Sequence, residues 1–298
     1  MTDTAVANPD SAHSLRALAQ RHGLRASGRR PGIALYARQL WAYRHFIAAF
    51  ANARLAATYA KARLGQLWQV LTPLTNAAVY YLIFGVVINT RHGVDNFIAY
   101  LCTGIFVFGY TQQAVLAGTK SMSDNLALIR ALHFPRAALP ISVTLTQLQQ
   151  VGVSIFVLAG IVVATGERPT LRWLVIVPAL LLQSLFNAGM ALAFARLGTK
   201  VSDLKQIMPF VLRTWLYASG VFYSVTNFIS HLPPVMAKVM LLNPALVYID
   251  LIRYALMESP QLSSPLPQLW LIGGVWAVVI GVLGFIYFWR GEQEYGRG

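Results

Sequence analysis

In "NPALVYIDLIRYAL" (243–256), Asp250 and Arg253 stand three residues apart, the one acid–base pair in the sequence whose spacing suits chemistry. On a helix such a pair shares a face, so it serves either a catalytic site or a plain salt bridge. There are ten Asp and Glu in all, and none lies in the middle of an apolar run. Ion-coupled transport or catalysis inside a membrane usually needs carboxylates or histidine clusters there. The six histidines are isolated, with no metal-ligand spacing. No glycine-rich phosphate loop with its lysine is present, so this chain does not hydrolyse ATP by that route. Cys102 is the single cysteine, which excludes an intrachain disulfide and reads as a packing residue. The expectation is a non-enzyme with no metal and no cofactor of its own.

Aromatic rings offer more. Tyr80, Tyr81, Phe84, Phe106, Phe108, Tyr110, Phe210, Trp215, Tyr217, Phe222 and Tyr223 fall within three long apolar runs. Ring faces suit the C–H faces of sugars, and hydroxyls suit sugar hydroxyls. The same rings are common at membrane interfaces and in helix packing. Arg213 is the single ionised side chain inside such a run, about seven residues in, or roughly 10 Å along a helix. It either snorkels to the near interface or meets an anionic substrate group such as a pyrophosphate.

Positioning these groups requires helices that cross lipid. The chain of 298 residues is 56% hydrophobic and 11% charged, where a soluble domain is about a quarter charged. Six runs reach the roughly 20 residues that cross a hydrocarbon layer: 69–89, 97–118, 140–164, 173–195, 206–225 and 268–289. Backbone groups cannot stay unpaired in lipid, so these runs predict an all-α polytopic membrane protein with six transmembrane helices. The formal charge is +14. Placing the N-terminus inside puts eighteen Lys and Arg on that side and five on the other: Arg91, Arg168, Arg172, Lys238 and Arg253. That bias predicts a plasma-membrane protein with both termini cytoplasmic, and it explains the basic excess without nucleic acid.

Three parts are expected. Residues 1–32, polar and Arg-rich with no cleavable signal, read as a flexible cytoplasmic arm. Residues 33–63 alternate apolar and aromatic positions with Arg38, Arg44, Arg54, Lys61 and Arg63, the pattern of an amphipathic helix lying in the interface. Residues 64–298 form the transmembrane domain. Gly65 permits a sharp bend at its start, Pro73 disfavours helix at Thr72, and Trp68 anchors the corner at the interface. The inner loop 119–139 predicts a short helix from Asn125 to about His133, capped by Ser123 or Asp124 and stopped by Pro135. Its Leu126, Leu128, Ile129 and Leu132 suit docking of a soluble partner. In the last outer region, 235–242 and 245–257 are too short to cross and predict two capping or re-entrant helices.

Three motifs carry a family resemblance: "LGQLWQVLTPL" (64–74), "NLALIRALHFPRAALP" (125–140) and "NPALVYIDLIRYAL" (243–256). Through them the chain, from about residue 40 to 290, resembles the permease subunit of ABC-2 type exporters. Those exporters move polyprenyl-linked polysaccharides, including O-antigen, teichoic acid and galactan. The resemblance implies a homodimer of six-helix subunits bound to two copies of a separate nucleotide-binding ATPase, which carries the ATP and Mg. It implies that the segment 123–134 is a coupling helix, with Asn125, Leu128, Ile129, Arg130, His133, Phe134 and Arg136 at the ATPase. It implies a channel along spans one and five, closed outside by helices within 226–258 that include Asn243, Pro244, Asp250 and Arg253. A polyprenyl-pyrophosphate glycan would be drawn to Arg38, Arg44, Arg54, Lys61 or Arg63. The Arg- and Ala-rich composition, with the resemblance, favours a galactan, with O-antigen next. Two alternatives stand beside this: an ABC-2 exporter of a lipid or drug, and a membrane glycan polymerase or ligase using Asp250 and Arg253.

Overall fold

Gly65 has φ +52°, and it marks the corner where the chain leaves two surface helices for the first crossing one. In the computed structural model, residues 31–60, 63–87 and 94–292 are described; all are helix, turn or coil, with no strand among them. Lys61 and the arm 1–30 lie outside the described residues. Helices α1 (Ile33–Ala42) and α2 (Arg44–Tyr59) break at Tyr43 instead of running as one. Helix α3 (Trp68–Tyr80) continues as a π-helical segment, Tyr81–Val87, and Pro73 sits inside it, not at its start. Then follow α4 (Phe97–Lys120), a 3₁₀ turn (Ser123–Asn125), α5 (Leu126–Ala131), α6 (Ala138–Ala164), a 3₁₀ turn (Leu171–Val175) leading into α7 (Ile176–Lys200), and α8 (Leu204–Tyr217). The chain closes with α9 (Val225–Ile229), α10 (Pro234–Leu241), α11 (Pro244–Leu256) and α12 (Leu266–Arg290).

Among the described residues, four segments are long and apolar enough to cross a membrane: Val70–Val87, Ala138–Ala164, Leu171–Lys200 and Leu266–Arg290. A fifth arises if α10 and α11, bent by 62°, count as one broken span. Helix α4 is as long, about 36 Å at 1.5 Å per residue, but Thr103, Thr111, Gln112 and Gln113 lower its apolarity. It is the central helix, with 17 of its 24 residues buried. The expected run 206–225 is not one helix. Helix α8 ends at Tyr217, about 21 Å long and short of a layer of about 30 Å. Ser219 Oγ donates back to the Trp215 carbonyl (2.5 Å), and Gly220 at φ +63° turns the chain. Hydropathy did not reveal this stop because the turn residues are themselves uncharged.

Close packing holds the crossing helices together. Gly189 on α7 faces Gly284 on α12 so closely that a Cβ at either would overlap the other helix's backbone. Small residues at such contacts let helices approach in lipid, where packing rather than hydrophobicity drives association. Polar side chains add specificity. Gln183 on α7 donates to the Val107 carbonyl (2.9 Å) and to Thr111 Oγ1 (3.0 Å) on α4. Asn96 caps α4 by accepting from Ala99 N–H (3.1 Å) and reaches Glu167 Oε1 (3.1 Å) beyond α6.

One end of the bundle is tied by Glu292. Tyr36 on α1 donates to Glu292 Oε2 (2.7 Å) and accepts from Ala137 N–H (3.1 Å), while Arg136 N–H donates to Glu292 Oε1 (3.1 Å). The Arg136 guanidinium also bonds the Glu292 carbonyl. Helix α1, the loop between α5 and α6 and the residues just past α12 therefore meet in one knot. Burial pushes the Glu292 carboxyl above its ordinary value, against the opposing pull of Tyr36 and Arg136. A carboxyl whose folded pKa is raised contributes most in acid, and that share is lost as pH rises through the raised value. Melting of the purified chain should therefore show a stability loss over that interval, and Glu292→Gln should flatten it. An unchanged pH profile in the variant would refute the assignment.

Candidate substrate cavity and docking surface

Helices α2, α3, α4 and α6, with Leu216 of α8, line a half-open cavity of about 410 Å³. Of the expected aromatic residues, Tyr80, Phe106, Phe108 and Tyr110 line it, and Arg54 stands on its wall. Tyr110 is buried and donates to Ser184 Oγ (2.8 Å), which fixes its ring. Phe106 is buried and projects from the central helix. Beside the cavity lies a nest of rings: Tyr80, Phe84 and Tyr217 pack on the buried Phe222, with centroids 5.0, 4.3 and 5.4 Å away. The turn after α8 brings Phe222 there. Trp215 meets Phe108 edge-on at 5.6 Å, and Tyr223 packs on Phe228 at 4.8 Å. Tyr81 is half-buried at the edge of the core. Phe210, 71% exposed, and Arg213 lie on the outer face of α8, and neither lines the cavity.

The Asp250–Arg253 pair is inside the bundle. Arg253 is 0% and Asp250 1% exposed, so Arg253 is not the loop charge that the sequence count assumed. Its guanidinium donates to Asp250 Oδ1 (3.2 Å), the Gly220 carbonyl (3.1 Å) and the Tyr100 carbonyl (3.3 Å), and lies over the Tyr100 ring. Asp250 Oδ2 accepts from Ser263 N–H (2.8 Å). These bonds hold the Gly220 turn against α4 and leave no face of the pair open to a substrate. Asn243 caps α11 and joins it to α8: its Oδ1 accepts from Trp215 Nε1 (2.9 Å) and Ala245 N–H (3.1 Å), and its Nδ2 donates to the Ala218 carbonyl (3.0 Å). Pro244 supplies the first helical position, where its missing N–H costs nothing. A second, mainly apolar cleft of about 780 Å³ opens between α8, α9, α10 and α12, with Asn243 and Pro244 on its wall.

At the knotted end, α5 is one and a half turns long, shorter than the sequence suggests. Asn125 occupies the cap position, but its side chain donates back to the Ser121 carbonyl (2.7 Å). Ile129 is buried in the cluster that includes Tyr36, Met122 and Leu139, and Leu128 is half-buried. Leu126, Leu132 and His133 face outward, and so does Arg130. Phe134 packs on Phe46 at 5.2 Å, and Tyr43 donates to the His133 carbonyl (3.3 Å). The outward surface thus lies on Leu126 and Leu132, not on Ile129. Alongside it, the surface helices expose Leu35 and Trp41 beside Arg38 and Arg44, a mixture that suits an interface, and Arg63 is exposed in the turn that follows.

The sequence reading missed the amides that face the cavity, because they come from three separate helices and show no local pattern. Its central aromatic and docking segments do fall within a stretch with known relatives. Residues 46–257 match the family model described as ABC-2 type transporter. The chain is 28% identical over 190 residues to the O-antigen export system permease protein RfbA of Myxococcus xanthus, covering 64% of this chain and 72% of that protein. It is 25% identical over 179 residues to the protein of the same name from Klebsiella pneumoniae, covering 60% and 68%. With most of its length under that one family model, the chain belongs to the ABC-2 type transporter family.

Proposed function

We propose that this chain is the membrane subunit of an exporter that moves polyprenyl-pyrophosphate-linked polysaccharide, of galactan or O-antigen type, from the inner side of the plasma membrane outward. The likeness to O-antigen export permeases gives the substrate class. The observation that carries the reading is a ring- and amide-lined cavity whose wall includes a basic residue of the surface helices, Arg54. The chain works as a homodimer with both termini cytoplasmic, each copy crossing the membrane six times, the fifth crossing made by the short α8 together with the turn that follows it. Two copies of a separate ATPase bind ATP and Mg and supply the energy. The lipid-linked glycan meets Arg38 and Arg44 on the surface helices and Arg63 in the turn after them, with each such group near an anionic surface contributing about 1 kcal/mol of attraction. Closure of the ATPases pushes on the α5 segment, and the Glu292 knot passes that motion to α1 and α12. The α9–α11 helices cap the outer end. In the producing cell, removing this chain should trap completed polymer on its lipid carrier inside, and restoring it should return polymer to the surface. Normal surface polymer without the chain would sink the reading.

The docking assignment has its own test. Leu126→Asp and Leu132→Asp should abolish co-purification of the ATPase while leaving the chain folded, because both side chains are outward. Ile129→Asp should unfold the knotted end instead. Full ATPase binding by the Leu126→Asp/Leu132→Asp double variant would refute the docking surface.

A further inference from the structure

Five side-chain amides, on Asn76, Gln112, Gln113, Gln147 and Gln150, line the cavity, and none bonds to another described residue. They come from α3, α4 and α6, so only the fold brings them together. Each amide offers two donors and an acceptor, and polar groups at membrane depth are otherwise placed against partners. Their convergence on one space, beside the ring faces of Trp68 and Tyr80, matches a ligand with many hydroxyls and apolar C–H faces. The volume of about 410 Å³ falls in the range of small-ligand sites, about 300–1,000 Å³. Arg54 is the one charged residue on the wall.

We infer that the cavity holds uncharged sugar units through amide–hydroxyl hydrogen bonds, and that it thereby selects a neutral glycan over a polyanionic one. The inference rests on the export reading above and specifies its polymer. A phosphodiester or carboxylate in every repeat would bring successive negative charges into a space whose wall carries a single cation, Arg54, so most of them would find no counter-charge there. Amides pair with neutral hydroxyls as both donors and acceptors and bring no charge into the space.

The test uses the permease with its ATPase in proteoliposomes. One probe is a polyprenyl pyrophosphate carrying a short galactose oligomer, and the other is the same carrier bearing a glycerol-phosphate oligomer. ATP hydrolysis should rise with the galactose probe and stay at its basal rate with the phosphate probe. Gln113→Leu and Gln150→Leu should each cut the galactose response about tenfold, the loss of one good hydrogen-bonded contact. Their melting temperatures should not change, since those amides hold nothing within the chain. An equal response to the phosphate probe would overturn the selectivity. A wild-type response in both leucine variants, or a fall in melting temperature in step with lost activity, would overturn the site. Silence of the wild-type complex toward both probes would overturn the export reading and the inference with it.

Discussion

Arg253→Ala is expected to lower stability by about 3–5 kcal/mol, the cost of leaving a buried charge without its partner. Arg253 is completely buried, and its removal strips Asp250 of its counter-ion while freeing the Gly220 and Tyr100 carbonyls. An orphaned acceptor or charge in a dry interior costs more than the bond that was lost. The position of the pair adds to the effect. It clamps the turn after α8 to the central helix, so the ring nest built on Phe222 should loosen with it. Replacing both partners, Asp250→Leu with Arg253→Met, should recover part of the loss, because no lone charge then remains. Melting of the detergent-purified variants measures both. Wild-type melting of Arg253→Ala would show that the clamp contributes nothing.

Gly284→Leu should do comparable or greater damage by a different route. The new Cβ would enter the backbone of α7 at Gly189, and no rotamer of a neighbouring side chain can relieve a clash with main chain. The two helices would have to separate along their length, and losses above about 4 kcal/mol belong to this kind of event. Gly274→Leu, on the same helix, is the control: nothing stands within 4 Å of its added Cβ. Folded protein should be recovered from Gly274→Leu and not from Gly284→Leu. Equal recovery would contradict the packing described for α7 and α12.

What the sequence disclosed follows from the solvent. Lipid forces uncharged runs into helices, so the segments at 140–164, 173–195 and 268–289 could be placed from composition alone: the first and last lie within α6 and α12, and 173–195 runs from the 3₁₀ turn into α7. The corner at Gly65 and the pair of short helices before α12 were legible because glycine and proline act locally. The stop at Tyr217 was not, since it depends on Gly220 adopting a left-handed backbone that an apolar sequence does not reveal. Arg253 was misplaced for a related reason. A charge in a 13-residue helix reads as a loop charge until the fold shows Tyr100, Gly220 and Asp250 gathered around it. The face of α5 that packs and the face that docks are both apolar, so sequence could not tell Ile129 from Leu126. The cavity amides were invisible for the deepest reason: their proximity exists only between helices.

The export reading is tested most directly with inside-out proteoliposomes holding this chain and its ATPase. A neutral lipid-linked glycan is added outside, and its resistance to an impermeant glycosidase is followed with and without ATP. Protection that grows with time, requires hydrolysable ATP and disappears in the Leu126→Asp/Leu132→Asp variant is the predicted result. Glycan that stays fully accessible in the presence of ATP would contradict the account.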